Sequence, residues 1–336
     1  MSIKDSITKE YMKDKATFAD AFNFFLYSGS QIIDPGRLST LDINSAVALR
    51  GKNKQIATLL EKKRDVLKSA EIMTDGKAVY AILGIENQSY VDYSMPVRNM
   101  LYDSMQYFVQ VEELTNAHRE KKDLESGNEF VSGISRQDRI TPVITLVIYW
   151  GSDNWDGSRS LHEMFDTTDE TMLKYASNYE LNLITPADMQ KGDFKKFKTE
   201  LGRALKYIKN FGDVESLKKE VEADPSFKSI SRRTADMLNI VTNSDLVIEE
   251  KGDSVDMCKA IQGIREEGIE LGRAEGKAEG KAEGKAEGLE LGKEKGTILT
   301  LYNLAQDGTI TLEIAALKAG LSESEFEKKA KEYLEK

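Results

Sequence analysis

Three side chains in the stretch 64–88, RDVLKSAEIMTDGKAVYAILGIENQ, have the types and the spacing to hold a hard metal ion: Asp65, Glu86 and Gln88. Two apolar-rich runs flank Thr74-Asp75-Gly76-Lys77, and Asp-Gly between such runs is the strongest short signal for a β-hairpin. A two-residue turn at Asp75-Gly76 puts Asp65 directly opposite Glu86 and Lys63 opposite Gln88. Glu86 and Gln88, two residues apart, then share a strand face. Carboxylates facing each other across a ladder repel, so folding alone gives no reason to place them there. A divalent cation between them does. Oxygen ligands suit Mg²⁺ or Mn²⁺, and such an ion polarises a phosphoryl oxygen and acidifies a bound water. Gln88 would orient that water or touch the phosphate, because an amide cannot act as a base. Spacing alone leaves a second reading open, a solvated hairpin face.

The elements around the hairpin follow from pattern. Residues 1–15 are polar and read as loosely ordered. Ala16 to Tyr27 has helical spacing, with Phe18, Ala21, Phe22, Phe25 and Leu26 on one face and Asp20 within it. Residues 28–54 read as loop, and Gln55 to Leu60 as a first strand. Pro96 opens a long helix to about Arg119, since proline suits a first helical turn. Its expected buried stripe is Val97, Met100, Leu101, Met105 and Phe108, extending to Val111, with Arg98, Tyr102 and Gln106 in an adjacent row. Thr141 to Trp150, TPVITLVIYW, is a buried strand, followed by an extended LNLIT run and a helix from about Asp188 to Phe211. Helix, strand, hairpin, helix, strand is an α/β order with a mixed sheet and one crossover helix.

Composition narrows the function classes. A 336-residue chain with 40% hydrophobic and 31% charged residues reads as soluble and globular, with no membrane-length apolar run and no signal segment. The expected location is cytoplasmic. A single cysteine, Cys258, excludes an internal disulfide and a thiolate cluster. Net charge is −10, against nucleic-acid binding by bulk electrostatics. Residues 266–336 hold 11 basic and 16 acidic side chains, so half of that excess lies in the tail. Two histidines leave no legible Ser-His-Asp or Cys-His set. His162 lacks the second histidine of a zincin motif and reads as structural; His118, on a charged helix end, reads as solvated.

The run GIENQSYVDYSMPVRNMLYDSMQY, after RDVL and before TPVITLVIYWG, resembles the Rpn family of recombination-promoting nucleases, also called PD-(D/E)XK nuclease family putative transposases. The likeness covers roughly residues 16–165 and extends to the Glu-Gly-Lys-Ala tail. It implies a restriction-endonuclease-like αβββαβ core with a mixed sheet, plus a helical C-terminal extension. It also implies a Mg²⁺-dependent DNA endonuclease, linked to recombination, transposition or defence, with Asp65 and Glu86 as metal ligands. The family often carries glutamine where the wider superfamily has lysine, which suits Gln88. The superfamily often has an acid on its first helix, which makes Asp20 a candidate ligand. Lys63, Arg98, Tyr102 and Gln106 are candidate contacts to DNA phosphates; the helical three read equally as a polar flank. The alternative is a catalytically weak or inactive nuclease-fold module that binds DNA or protein within an assembly.

Three regions are expected: a nuclease domain over 1–265, a linker over 266–297, and a small helical segment over 298–336. Glycine recurs at every fourth residue from Gly268 to Gly296, costing a helix roughly 1 kcal/mol each against alanine. The stretch reads either as a spacer or as a helix that joins copies of the chain into a homo-oligomer.

Overall fold

Ser2 and Asp5 close a capping box at the start of the chain. The Asp5 amide donates to Ser2 Oγ (3.1 Å) and the Ser2 amide to Asp5 Oδ2 (3.0 Å). The segment expected to be loose is therefore a helix, α1 (Ile3–Lys13), burying Thr8, Tyr11 and Met12. The computed structural model describes residues 2–41, 65–74, 77–244, Leu246, Ile248 and 252–335. These fall into two compact units, 1–264 and 265–336.

Helix α2 (Lys15–Tyr27), capped by Asp14, buries Phe18, Ala21 and Phe22 as its spacing requires. Its Asn23 side chain then fixes the chain's exit, donating to the Ile33 carbonyl and accepting from the amides of Ile32 and Ile33. Strand β1 (Leu38–Thr40) follows, within the stretch that reads as loop. The strand expected at 55–60 lies outside the described residues, as do Lys63 and the Asp75-Gly76 turn.

Strands β2 (Val66–Thr74) and β3 (Lys77–Gln88) pair antiparallel from Thr74↔Lys77 to Val66↔Ile85, the register that a two-residue turn demands. Helix α3 (Met95–Lys121) crosses over to β4 (Val143–Tyr149), which lies parallel to β3, and β5 (Asn182–Ile184) lies parallel to β4. The sheet order is β1-β2-β3-β4-β5. Leaving aside the short helix before β4, the order from α2 is α-β-β-β-α-β: a mixed α/β fold with helices added at its C-terminal end.

The sheet has two differently built faces. Ala81, Leu83 and Ile85 of β3 join Leu146, Ile148 and Trp150 in the main core, with α1, α2, α6 (Leu201–Asn210) and α8 (Arg232–Thr242). The alternate residues point at α3, where the apolar cluster is only Met95, Val147, Tyr149 and Trp155, with a few half-buried neighbours. Here the expected stripe on α3 is corrected. The helix buries Asn99, Tyr102 and Asp103 and leaves Val97, Leu101 and Phe108 at 41%, 40% and 51% exposure. The receiving sheet surface is polar: Asp103 accepts from Thr145 Oγ1 (2.6 Å) and from the Tyr179 hydroxyl (2.6 Å). A polar surface selects the helix's polar row.

Between α3 and β4 lies the short helix α4 (Gly127–Ser132), and the segment is tied to α3 through His118. His118 is partly exposed but ion-paired on both ring nitrogens: Nδ1 meets Asp123 at 2.5 Å and Nε2 meets Asp138 at 2.9 Å. The Asp123 and Asp138 carboxylates raise the imidazole above its usual pKa. A raised folded-state pKa gives stability that is fully present below about pH 6.5 and is lost as pH climbs through the folded value. The melting-temperature gap between wild type and His118→Gln is therefore expected to be widest near pH 5.5–6 and to narrow above it. Melts across that range check it, and a gap that widens with pH would overturn it.

Beyond a one-turn helix, α5 (Glu170–Leu173), the helix expected from Asp188 is divided into a 3₁₀ turn at Asp193–Lys196 and α6. Helix α7 (Val214–Glu222) follows, and β6 (Ile230–Ser231) pairs with β7 (Ser254–Val255) across α8. The glycine-repeat stretch is helical, within α9 (Met257–Gln306). From Gly280 to Gly296 an added Cβ at each repeat glycine would meet nothing within 4 Å, so no contact among the described residues uses their smallness. In the second unit α10 (Leu312–Ala319) and α11 (Glu323–Glu335) bury Ala315, Ala316, Phe326 and Ala330 around Ile298.

Candidate active site

The β2–β3 ladder ends at Val66↔Ile85, and the next residues on either side are Asp65, in a bend before β2, and Glu86, on the face turned toward α3. Glu86 is completely buried, beside its parallel neighbour Val147; the Asp65 side chain keeps 12% exposure. Gln88, two residues along the same face, is buried next to Tyr149. The side-chain alternation of the strand therefore brings Asp65, Glu86 and Gln88 to one end of the sheet.

Cations from two helices meet these acids. Arg98, on the first turn of α3, donates from Nη2 to Glu86 Oε2 (3.2 Å), from Nη1 to Asp92 Oδ2 (3.1 Å) and from Nε to the Tyr102 hydroxyl (3.2 Å). Lys9 of α1 stands 3.9 Å from Asp65. The Asp65 carboxylate also accepts from the Asn87 amide at 2.8 Å. Asn87 in turn points its side chain into the main core, where its Oδ1 accepts from the Trp150 indole at 2.9 Å.

The electrostatics follow. Burial pushes the Asp65 carboxyl above its ordinary pKa, against the pull of the Asn87 amide and of the Lys9 and Arg98 charges. Burial would lower the Arg98 guanidinium, but the Glu86 charge and the hydrogen bonds to Tyr102 and Asp92 outweigh it, so the net shift is upward. Burial and then the Glu86 charge raise the Tyr102 phenol. Asp92 moves the other way despite burial, because Ser94 and Arg98 donate to its carboxylate.

The donor set fits a divalent ion. Mg²⁺ takes one or two protein carboxylates and completes its shell with water and substrate phosphate oxygens. Asp65 and Glu86 would supply such a pair, with Lys9 and Arg98 as the cations an ion would compete with. Among the described residues no group of three or more His, Cys, Asp or Glu side chains could hold a metal. Asp20 is not brought to the pair. It is buried on α2, and its carboxylate accepts from the Lys198 amide (3.0 Å), the Thr199 amide (2.7 Å) and the Thr199 hydroxyl (2.6 Å). Gln106 is half-buried two turns beyond Arg98. Lys63 lies outside the described residues.

Lys9, Asn87 and Asp92 escape the sequence reading. Lys9 sits in a segment that reads as loose. Asp92 carries a recognisable signal, Asp-x-Ser just before a helix start, and its Oδ1 accepts from the Ser94 amide and hydroxyl.

A family model described as "Putative transposase, YhgA-like" matches residues 4–229, about two thirds of the chain. No curated protein and no solved structure matches.

Proposed function

The chain belongs to the YhgA-like putative transposase family, the Rpn group with PD-(D/E)XK character, and on that premise we propose that it is a metal-dependent DNA endonuclease acting at Asp65 and Glu86. The observation that supports the reading is a fully buried Glu86 at the end of the hairpin, with Asp65 held beside it through the Asn87 amide. Asp65 and Glu86 would hold Mg²⁺ or Mn²⁺. When bound, the ion supplies Lewis-acid polarisation of a phosphoryl oxygen and acidifies a water for attack.

The other residues have separate tasks. Arg98, held by Glu86, Asp92 and Tyr102, presents its remaining Nη protons to the scissile phosphate. Gln88 donates from its amide to the phosphate or orients the water, and Lys9, after the Asn87 amide, offsets part of the burial of Asp65. Tyr102 aligns Arg98. A homo-oligomer joined through 268–296 and a cytoplasmic location belong to the same proposal; among the described residues no helix is long and apolar enough to cross a membrane.

Supercoiled plasmid incubated with the full chain is expected to be nicked with Mg²⁺ or Mn²⁺ and left intact with chelator. One observation favours a second reading, a DNA-binding module without catalysis: Lys9 and Arg98 already neutralise the acids. Absence of both nicking and calorimetric Mn²⁺ binding, with DNA still retained, would select it.

A further inference from the structure

The densest positive charge in the described chain lies away from the acid pair. Residues 189–210, MQKGDFKKFKTELGRALKYIKN, hold seven Lys or Arg and two acids in a chain whose net charge is −10. The fold converges this segment on a cavity of about 290 Å³ between the Asp193–Lys196 turn, the start of α6 and the Pro225–Ser229 turn. Lys191, Lys195, Arg203 and Lys206 line it, with Phe194 and Phe197 as an apolar wall.

The charge of this cavity is incompletely matched. Lys191 and Lys206 share one carboxylate, Glu220, at 3.1 and 3.0 Å. Lys206 also reaches Asp224 at 3.6 Å, and Arg203 pairs with Glu200 at 3.5 Å. Lys195 makes no ion pair among the described residues and is exposed. The wall is rigid: Phe197 stacks on Phe24 with centroids 4.3 Å apart, and Asp20 pins the Lys198-Thr199 backbone. That buried carboxylate therefore shapes this cavity.

We propose that the cavity is a second DNA-contact site, taking a backbone phosphodiester between Lys191, Lys195, Arg203 and Lys206 with its sugar against Phe194. The volume lies just below the roughly 300–1,000 Å³ of ligand pockets, which suits one phosphate with its sugar and nothing longer. Four cationic donors on one concave surface, against the single Asp224 carboxylate that also lines it, suit a phosphate oxygen cluster. The site rests on the DNA-directed reading of the chain but not on the metal site.

The test is fluorescence anisotropy of a labelled DNA duplex with the full chain in chelator, so that no cleavage intervenes. The exposed double substitution Lys191→Ala/Lys195→Ala, with an unchanged melt, is expected to weaken binding about tenfold and to flatten the salt dependence by between one and two units of slope. Deoxyadenosine monophosphate should compete with duplex on wild type and lose that effect on the variant. Wild-type affinity and slope in the variant would overturn the cavity assignment alone. A wild type that binds no duplex would overturn the DNA-directed reading with it, and a cavity that takes the mononucleotide but no duplex would do the same.

Discussion

Glu86→Gln and Asp65→Asn are each expected to cut metal-dependent plasmid nicking by at least about a hundredfold. Lewis-acid stabilisation of a developing phosphoryl charge is worth several kcal/mol, and each 1.36 kcal/mol is tenfold in rate. Both changes keep the side-chain shape and remove the charge that would hold the ion. Glu86 has the larger expected effect, because at zero exposure its ionic contacts are little screened by water. The losses should appear as weaker Mn²⁺ binding by calorimetry as well as slower nicking. Nicking retained within about threefold by both variants, folded as judged by melts, would sink the assignment of this site.

Arg98→Leu is expected to lower stability by about 3 kcal/mol, whereas Glu86→Gln costs about 1 kcal/mol. The asymmetry comes from exposure. Removing the guanidinium leaves a fully buried carboxylate without that ion pair, while removing the Glu86 charge leaves Arg98 one-third exposed and still bound to Asp92. The Arg98 figure sits at the lower end of the range for broken buried pairs because of that exposure. Equilibrium denaturation of both single variants and the double variant measures it. The double variant should be less destabilised than the sum of the singles, the signature of a direct pair. Additive losses would show that Arg98 supports α3 by packing and not by charge.

The hairpin and its register were legible because Asp-Gly fixes a two-residue turn and strand alternation leaves one choice of facing residues. The buried strand β4 was legible from its length and composition. The inward face of α3 was not. A hydrophobic-stripe argument assumes an apolar receiving surface, and here Glu86, Thr145 and Tyr179 present a polar one. Helix α1 was missed for a related reason: its capping box, Ser2 with Asp5, is a local signal that a polar composition concealed. The partners of Asp20 lie 178 and 179 residues further along the chain, a separation that no local pattern reports. Proximity to Glu86 was legible for the strand residues, whose faces follow from parity. It was not legible for Lys9 and Asp92, whose approach depends on packing between elements.

The amide of Asn87 donates to Asp65 Oδ2 while its side chain accepts from the Trp150 indole. One residue thus connects the acid pair to the main core on the opposite face of the sheet. Its backbone proton resonance is a local reporter of the Asp65 carboxylate, shifting whenever that oxygen changes its company. The indole proton of Trp150 offers a second resonance, resolved from the amide envelope, that senses the same joint from the core side. Together they allow ion, proton and DNA arrivals at the pair to be followed in solution without any turnover.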